Sequence, residues 1–407
     1  MADYAYRSIS YDRQGDISNF FWNFYTPLMK KILSDAEKDA NHKQSGAAPG
    51  SEGVSRIQDG SFLIRRENEW EDVPLKALRL NATEPGADTY SRDFQFYQQL
   101  VQQLGKLGAN CVQADDLFPP EFYRAVYNYN QSNGENPIYI LQTIRAEEEI
   151  QEGMSEKEVI EAWKKKIATT LSALHGNGTA ENARLSRSTY FIDVSEYLLG
   201  VLIDGGADPK LGKELYHTAS AYHGEEYGYS VPVGILADPE RMAGCGWSLG
   251  QEDTYDWSKL AAEEDTSADY YVTVVSYAGI SNVLRGHSDY FTGVSEEENL
   301  KSCVAELSGK LNEKLLVTGV CVSNHVAMYG EAGGVSEKEQ GQRLVALLKA
   351  VEETESLGVV AADLNDDWSA VSDSMYPYTV PLANNCLWQN VADPAQMTGV
   401  LAVEAKQ

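Results

Sequence analysis

The sequence predicts an α/β chain folded as a (β/α)8 barrel, on three observations. Eight short apolar stretches alternate with amphipathic helical ones. Three of those helices open on an S-x-x-E capping box, Ser155/Glu158, Ser295/Glu298 and Ser336/Glu339, in which the serine oxygen accepts a backbone N–H while the glutamate reaches back. The glycine loops of a doubly wound nucleotide-binding sheet, GxGxxG after the first strand or GxxxxGK[ST], are absent.

In chain order, residues 1–55 stand apart as an N-terminal extension. An aromatic run, Phe20 to Tyr25, precedes a helix-like TPLMKKILSDAEKDA, and the polar, small-residue stretch from Asn41 to Ser55 reads as a linker. The barrel domain is expected over residues 56–407. SFLIRR and VPLKALRLNA, separated by the charged turn ENEWED, read as a hairpin leading into the first buried strand. The eight strands are expected at Leu75–Asn81, Asn110–Asp115, Ile138–Thr143, Leu199–Asp204, Val231–Ala237, Tyr270–Tyr277, Leu315–Val322 and Val359–Leu364. Between the first two, Phe94, Tyr97, Leu100, Val101, Leu104 and Leu107 recur at helical spacing, and Gly108 stops the helix. Residues 371–407 hold no further helical pattern and are expected as a C-terminal extension packed on the barrel.

Charge narrows the partners. Across 407 residues, 33 Lys+Arg stand against 61 Asp+Glu, a formal net charge of −28. A surface this negative repels phosphate backbones and anionic headgroups, which argues against nucleic acid and membrane surfaces. No stretch reaches the ~20 apolar residues of a spanning helix, so no membrane insertion is expected. The first residues lack a basic segment followed by an apolar one, so the chain by itself reads as cytoplasmic; a cell-envelope or extracellular setting follows if a leader has been removed. The five cysteines (111, 245, 303, 321 and 386) are scattered and read as unpaired core residues. The six histidines show no ligand spacing, and His217 and His223 with Glu225 and Glu226 read as a solvated loop. No metal and no cofactor are expected.

Working residues of such a barrel lie at the C-terminal ends of its strands. Those ends carry Asp115 and Asp116 after the second strand, Asp204 and Asp208 after the fourth, and Asp363, Asp366 and Asp367 after the eighth. Tyr277 and Trp368 lie nearby, and Asn324 and His325 follow the seventh strand. Carboxylates beside aromatic platforms suit sugars, because rings stack on C–H faces while acids bind hydroxyls or transfer protons. Among 61 acidic residues, strand-end aspartates also serve as loop solvation and helix caps.

The segment LGKLGANCVQADDLFPPEFYRAVYNYNQSNGENPIYILQTI and the later VSEKEQGQRLVALLKAVEETESLGVVAADLNDDW resemble a bacterial family of glycosidase-like (β/α)8 proteins. That family is related to clan A retaining β-glycosidases and β-glucan-acting enzymes. The resemblance spans roughly residues 56 to 400 and is specific at PPEFYRAVYNYN and EKEQG. It implies two catalytic glutamates, an acid ending strand four and a nucleophile ending strand seven. Here GVLIDGGADP places Gly206 at the acid, with Asp208 at the family's second acidic position, and KLLVTGVCV places Gly319 at the nucleophile. Gln113 and Asp115 replace the family's strand-two arginine and tyrosine, Leu364 replaces a strand-eight tryptophan, and SYAGIS keeps Tyr277 but has Ala278 for a histidine.

Three readings follow. The first is a catalytically lapsed barrel that binds carbohydrate or acts as a scaffold, with Asp115, Asp116, Tyr277, Asn324, His325, Asp366, Asp367 and Trp368 as ligand contacts. The second is an active glycosidase or transglycosylase on β-linked glycans with relocated carboxylates, Asp204, Asp208 and Asp363. The third is a platform for a protein partner, motivated by the aromatic run and the acidic surface.

Overall fold

Among the described residues three antiparallel strands precede the barrel: β1 (Ser55–Gln58), β2 (Ser61–Arg66) and β3 (Glu69–Asp72). The computed structural model describes residues 53–66, 69–84, 87, 89–146, 150, 153–205, 209–236, 268–275, 295–326, 333–368, 370, 393 and 395–400. The β1–β2 connection is the pair Asp59-Gly60, both at positive φ (51° and 73°), a two-residue loop whose twist matches the flanking strands. Part of the expected turn ENEWED is itself a strand, β3. Its charged, largely exposed residues suit an edge strand, which period-2 hydrophobicity does not reveal. Trp70 of β3 lies under the Arg56 guanidinium, 4.1 Å from the ring centroid.

The barrel strands follow as β4 (Ala77–Leu80), β5 (Cys111–Ala114), β6 (Tyr139–Ile144), β9 (Leu198–Ile203), β10 (Val233–Leu236), β11 (Tyr270–Val274), β12 (Leu315–Val320) and β13 (Gly358–Ala361). All eight pair in parallel with their chain neighbours and close into a barrel. Each falls within a residue or so of its expected strand or inside it. A short hairpin, β7 (Gly178–Ala180) and β8 (Ser188–Tyr190), is inserted before β9.

Among the described residues six helices run between strands: α1 (Phe94–Lys106), α2 (Pro120–Ser132), α3 (Glu156–Leu174), α4 (Pro209–Tyr227), α5 (Glu296–Lys310) and α6 (Glu337–Glu352). Ser155, Ser295 and Ser336 all cap their helices by accepting the N–H three residues on. The box closes reciprocally at Ser155, whose N–H donates to the Glu158 carboxylate at 2.8 Å. Among the described residues no helix is long and apolar enough to cross a membrane.

Alternation along each strand sorts the side chains. In β5, Val112 and Ala114 pack outward against helices, while Cys111 faces the barrel interior. The lower interior is apolar: Phe62 from β2 joins Leu141, Leu199, Tyr270, Leu316 and Val360. Tyr270 is fully buried, and its ring lies where Gly234 leaves space, since a Cβ there would fall 2.3 Å from the ring. Above this layer the interior turns polar.

His217 and His223 belong to α4, not to a loop. Leu215, Ala219 and His223 recur every fourth residue on the buried side of that helix. His223 Nδ1 meets the Tyr229 carbonyl at 2.9 Å, and its Nε2 lies 3.1 Å from Nε2 of buried His175. A carbonyl takes only a donor, so Nδ1 carries the proton and Nε2 of neutral His223 accepts from His175. Burial lowers the His223 pKa below its ordinary 6.5, partly offset by the Tyr229 carbonyl. A depressed folded pKa leaves its full contribution above pH 6.5 and loses it as pH falls toward the folded value. Urea titrations between pH 7.5 and 5 are expected to show stability falling with acid, with a flatter curve for His223→Asn. An unchanged slope in that variant contradicts the assignment.

Candidate functional site at the barrel mouth

At the C-terminal ends of five adjacent strands the inward side chains form a continuous chain of charge. Arg79 of β4 holds Asp363, which follows β13, through both guanidinium arms, Nε to Oδ1 at 2.5 Å and Nη2 to Oδ2 at 3.0 Å. The same Arg79 Nε lies 3.4 Å from Asp115 Oδ2. Asp115 in turn lies 4.0 Å from Arg145, just beyond β6, and Arg145 Nε donates to Asp204, just beyond β9, at 2.8 Å. Three carboxylates thus alternate with two guanidiniums, Asp363–Arg79–Asp115–Arg145–Asp204.

A layer of uncharged polar groups supports this chain. Gln113 of β5 donates to Asp115 Oδ1 at 3.1 Å and to Thr143 Oγ1 at 3.3 Å, and accepts from Thr318 Oγ1 at 2.5 Å. These bonds cross the barrel interior from β6 to β12 and fix the Gln113 amide, which leaves its donor side aimed at Asp115. Burial raises the Asp115 pKa above the usual carboxylate range, with Arg79 and Arg145 opposing and Asp363 and Asp204 adding to the rise. For Arg79 burial works against the charge, but Asp363 and Asp115 outweigh it and the pKa is raised. Arg145 is raised in the same way, by Asp115 and Asp204 against burial. Cys321, at the end of β12, is pushed up to about 12 by burial and by Asp363.

Asp116 takes the opposite side of the chain from Asp115. Its carboxylate accepts from Asn182 Nδ2 at 2.9 Å and lies 3.8 Å from Lys166 of α3. Asp366 accepts the Gly399 N–H at 2.8 Å, and Thr398 Oγ1 lies 3.4 Å from Asp363 Oδ2, so residues 395–400 lie against the β13 end. The same segment reaches the β12 end, where the Asn324 N–H donates to the Met397 carbonyl at 3.1 Å. His325 Nδ1 lies 3.0 Å from Ser323 Oγ, and Asp367 and Trp368 are half-buried beyond β13. Leu364 is fully buried in the outer core. Among the described residues three buried polar atoms near these ends lack a hydrogen-bond partner: Asn324 Oδ1, Asn365 Oδ1 and Trp368 Nε1.

Gly319 sits at a break in the β12–β13 register, with φ +81°. A Cβ there would fall 2.3 Å from the Val275 carbonyl oxygen, so this backbone has no room for a side chain at position 319. Gly206, Asp208 and Tyr277 lie outside the described residues. Among the described residues no cluster of three or more His, Cys, Asp or Glu is placed to hold a metal.

The sequence brought Asp115, Asp204 and Asp363 into view, but not the two arginines that bind them. The available signal was alternation: Ala77 and Arg79 share one face of β4, and Thr143 and Arg145 share one side of the chain at the end of β6.

No protein-family model matches the chain, and no curated protein matches it in sequence. Solved structures do match. An endo-laminarinase from Formosa superposes with a TM-score of 0.53 at 10% identity, over 81% of this chain and 83% of that one. A β-glucuronidase from an uncultured Clostridium sp. gives 0.49 at 11%, over 86% and 50%. A β-glucuronidase from Ruminococcus gnavus in complex with N1-substituted uronic isofagomine gives 0.46 at 12%, over 77% and 45%. The chain spans about half the length of those two β-glucuronidases. With the laminarinase it shares its fold over about four-fifths of each chain, and that fold is a closed (β/α)8 barrel.

Proposed function

We propose that the barrel binds a neutral carbohydrate at its mouth and no longer cleaves it. The observation that carries this reading is the alternating chain from Asp363 to Asp204. Glycoside cleavage needs two carboxyl groups facing one bond, one free to give a proton and the other free to attack or to activate water. Asp363 has both oxygens on the Arg79 fork and Asp204 accepts from Arg145, so each carboxylate already has a guanidinium partner and neither stands alone to face a glycosidic bond. At Gly319, where the family resemblance puts a nucleophile, the backbone leaves no room for one.

Binding is supported by the half-buried polar side chains at the ends of β12 and β13. Asn324, His325 and Trp368 offer acceptors and donors together, a mixture that suits hydroxyl groups, which do both. The acidic surface favours a neutral ligand over an anionic one at this face. Because the fold resembles that of an endo-laminarinase, β-1,3-glucan fragments are the first ligands to try. Calorimetric titration with laminarihexaose is expected to give saturable binding, weakened about tenfold or more in Trp368→Ala. Absence of binding across β-1,3-, β-1,4- and β-1,6-linked oligosaccharides, or binding that ignores Trp368, contradicts the proposal.

A further inference from the structure

Within the charged chain at the mouth the five side chains are unevenly engaged. Arg79 is committed to Asp363 through Nε and Nη2, and Asp363 accepts with both oxygens. Asp204, almost fully buried, takes the Arg145 Nε–H. Asp115 and Arg145 differ. Asp115 accepts the Gln113 amide on Oδ1, and among the described residues no hydrogen bond reaches its Oδ2. Arg145 spends Nε on Asp204, and among the described residues neither of its Nη groups makes a hydrogen bond. These atoms are also within reach of a ligand. The Arg145 side chain is 39% exposed and that of Asp115 23%, and neither Asp115 Oδ2 nor an Arg145 Nη is among the polar atoms buried without a partner.

Arg145 Nη2 and Asp115 Oδ2 face each other at 4.0 Å. That is an ion pair but not a hydrogen bond, for which the atoms would have to close to about 3 Å. Each is held from its far side. Asp204 holds the guanidinium at Nε, and Gln113, itself tied to Thr143 and Thr318, holds the carboxylate at Oδ1. At this separation one oxygen can touch both atoms, accepting from the guanidinium and donating to the carboxylate. A hydroxyl does both at once, and both bonds are charge-assisted. An ether or methoxy oxygen accepts but has no hydrogen to give to Asp115. A carboxylate gives none either, and would meet Asp115 as a like charge in a chain of three acids against two guanidiniums.

We infer that Arg145 Nη2 and Asp115 Oδ2 together seat one free hydroxyl of the glycan. This pair, rather than Asp363 or Asp204, then sets the demand of the mouth for an unsubstituted sugar. The inference rests on the reading of the mouth as a carbohydrate site and adds to it the atoms that select the ligand.

The test is calorimetric titration of the full chain with laminarihexaose, or with whichever β-1,4- or β-1,6-linked oligosaccharide the wild type binds. Asp115→Asn keeps the shape, but with Oδ1 fixed by Gln113 the amide nitrogen takes the place of Oδ2, so an acceptor becomes a donor. Arg145→Lys keeps a cation beside Asp204 and removes Nη2. Each is expected to weaken binding about tenfold, the loss of one charge-assisted hydrogen bond. Because both remove contacts to the same hydroxyl, the double variant is also expected to be about tenfold weaker, not about a hundredfold. A crystal structure of the wild-type complex, which depends on no variant folding, is expected to place a sugar hydroxyl within hydrogen-bond distance of both atoms. Binding that falls in Trp368→Ala but ignores both substitutions would overturn this inference and leave the carbohydrate reading standing. So would losses that multiply in the double variant, or a complex in which no sugar hydroxyl touches the pair. Absence of binding by every oligosaccharide would overturn both.

Discussion

Arg79→Met is expected to destabilise the folded barrel by about 3 kcal/mol, toward the lower end of the cost of orphaning a buried charge because a quarter of the Arg79 side chain (26%) remains accessible. Arg79 is the shared counter-ion of Asp363 and Asp115. Methionine fills a similar volume but leaves Asp363, whose side chain is 9% exposed, without its fork. Because the loss comes from an uncompensated carboxylate, the double variant Arg79→Met/Asp363→Leu is expected to recover a large part of it. Urea unfolding of the two variants against wild type measures both effects. A single-variant loss below about 1 kcal/mol, in the range of an exposed pair, would mean that Arg79 is not holding a buried charge.

Tyr270→Ala is expected to cost about 3–5 kcal/mol, the range for emptying an aromatic site in a packed core. The Tyr270 ring stands edge-on to Phe62, with centroids 5.4 Å apart, and its hydroxyl donates to the Val201 carbonyl at 2.8 Å. Gly200 and Gly234 flank it, a Cβ at Gly200 falling 3.2 Å from the hydroxyl oxygen. On that side, neighbours this small have no side chain to fill the void. Tyr270→Phe keeps the ring and should cost only about 1 kcal/mol for the lost hydrogen bond. If the alanine variant loses no more than the phenylalanine one, the barrel interior is not packed around this ring.

The fold was legible because its signals are repeated and local. Apolar runs such as Leu198–Ile203 and Leu315–Val320 are buried on both faces, as parallel strands under helices must be, and each is followed by a capped or patterned helix. The β3 edge strand and the β7–β8 hairpin were not legible, because short exposed strands carry charge and hydroxyls and no alternating apolar set. At the mouth, the strand-end rule located Asp115, Asp204 and Asp363. It could not say that each would meet an arginine, since the Arg79–Asp363 pair joins residues 284 positions apart. Nor does sequence separate Asp115 from Asp116. One residue of alternation sends the first to the barrel mouth and the second to α3 and the β7–β8 hairpin.

The account turns on whether carboxylates engaged by arginine can still cleave a glycoside. Release of reducing sugar from laminarin, and of nitrophenol from a panel of aryl β-glycosides, measures this directly at enzyme-level protein concentration. The account predicts release indistinguishable from buffer for the wild-type chain. Turnover above background that falls about 10²-fold or more in Asp204→Asn or Asp363→Asn would contradict it.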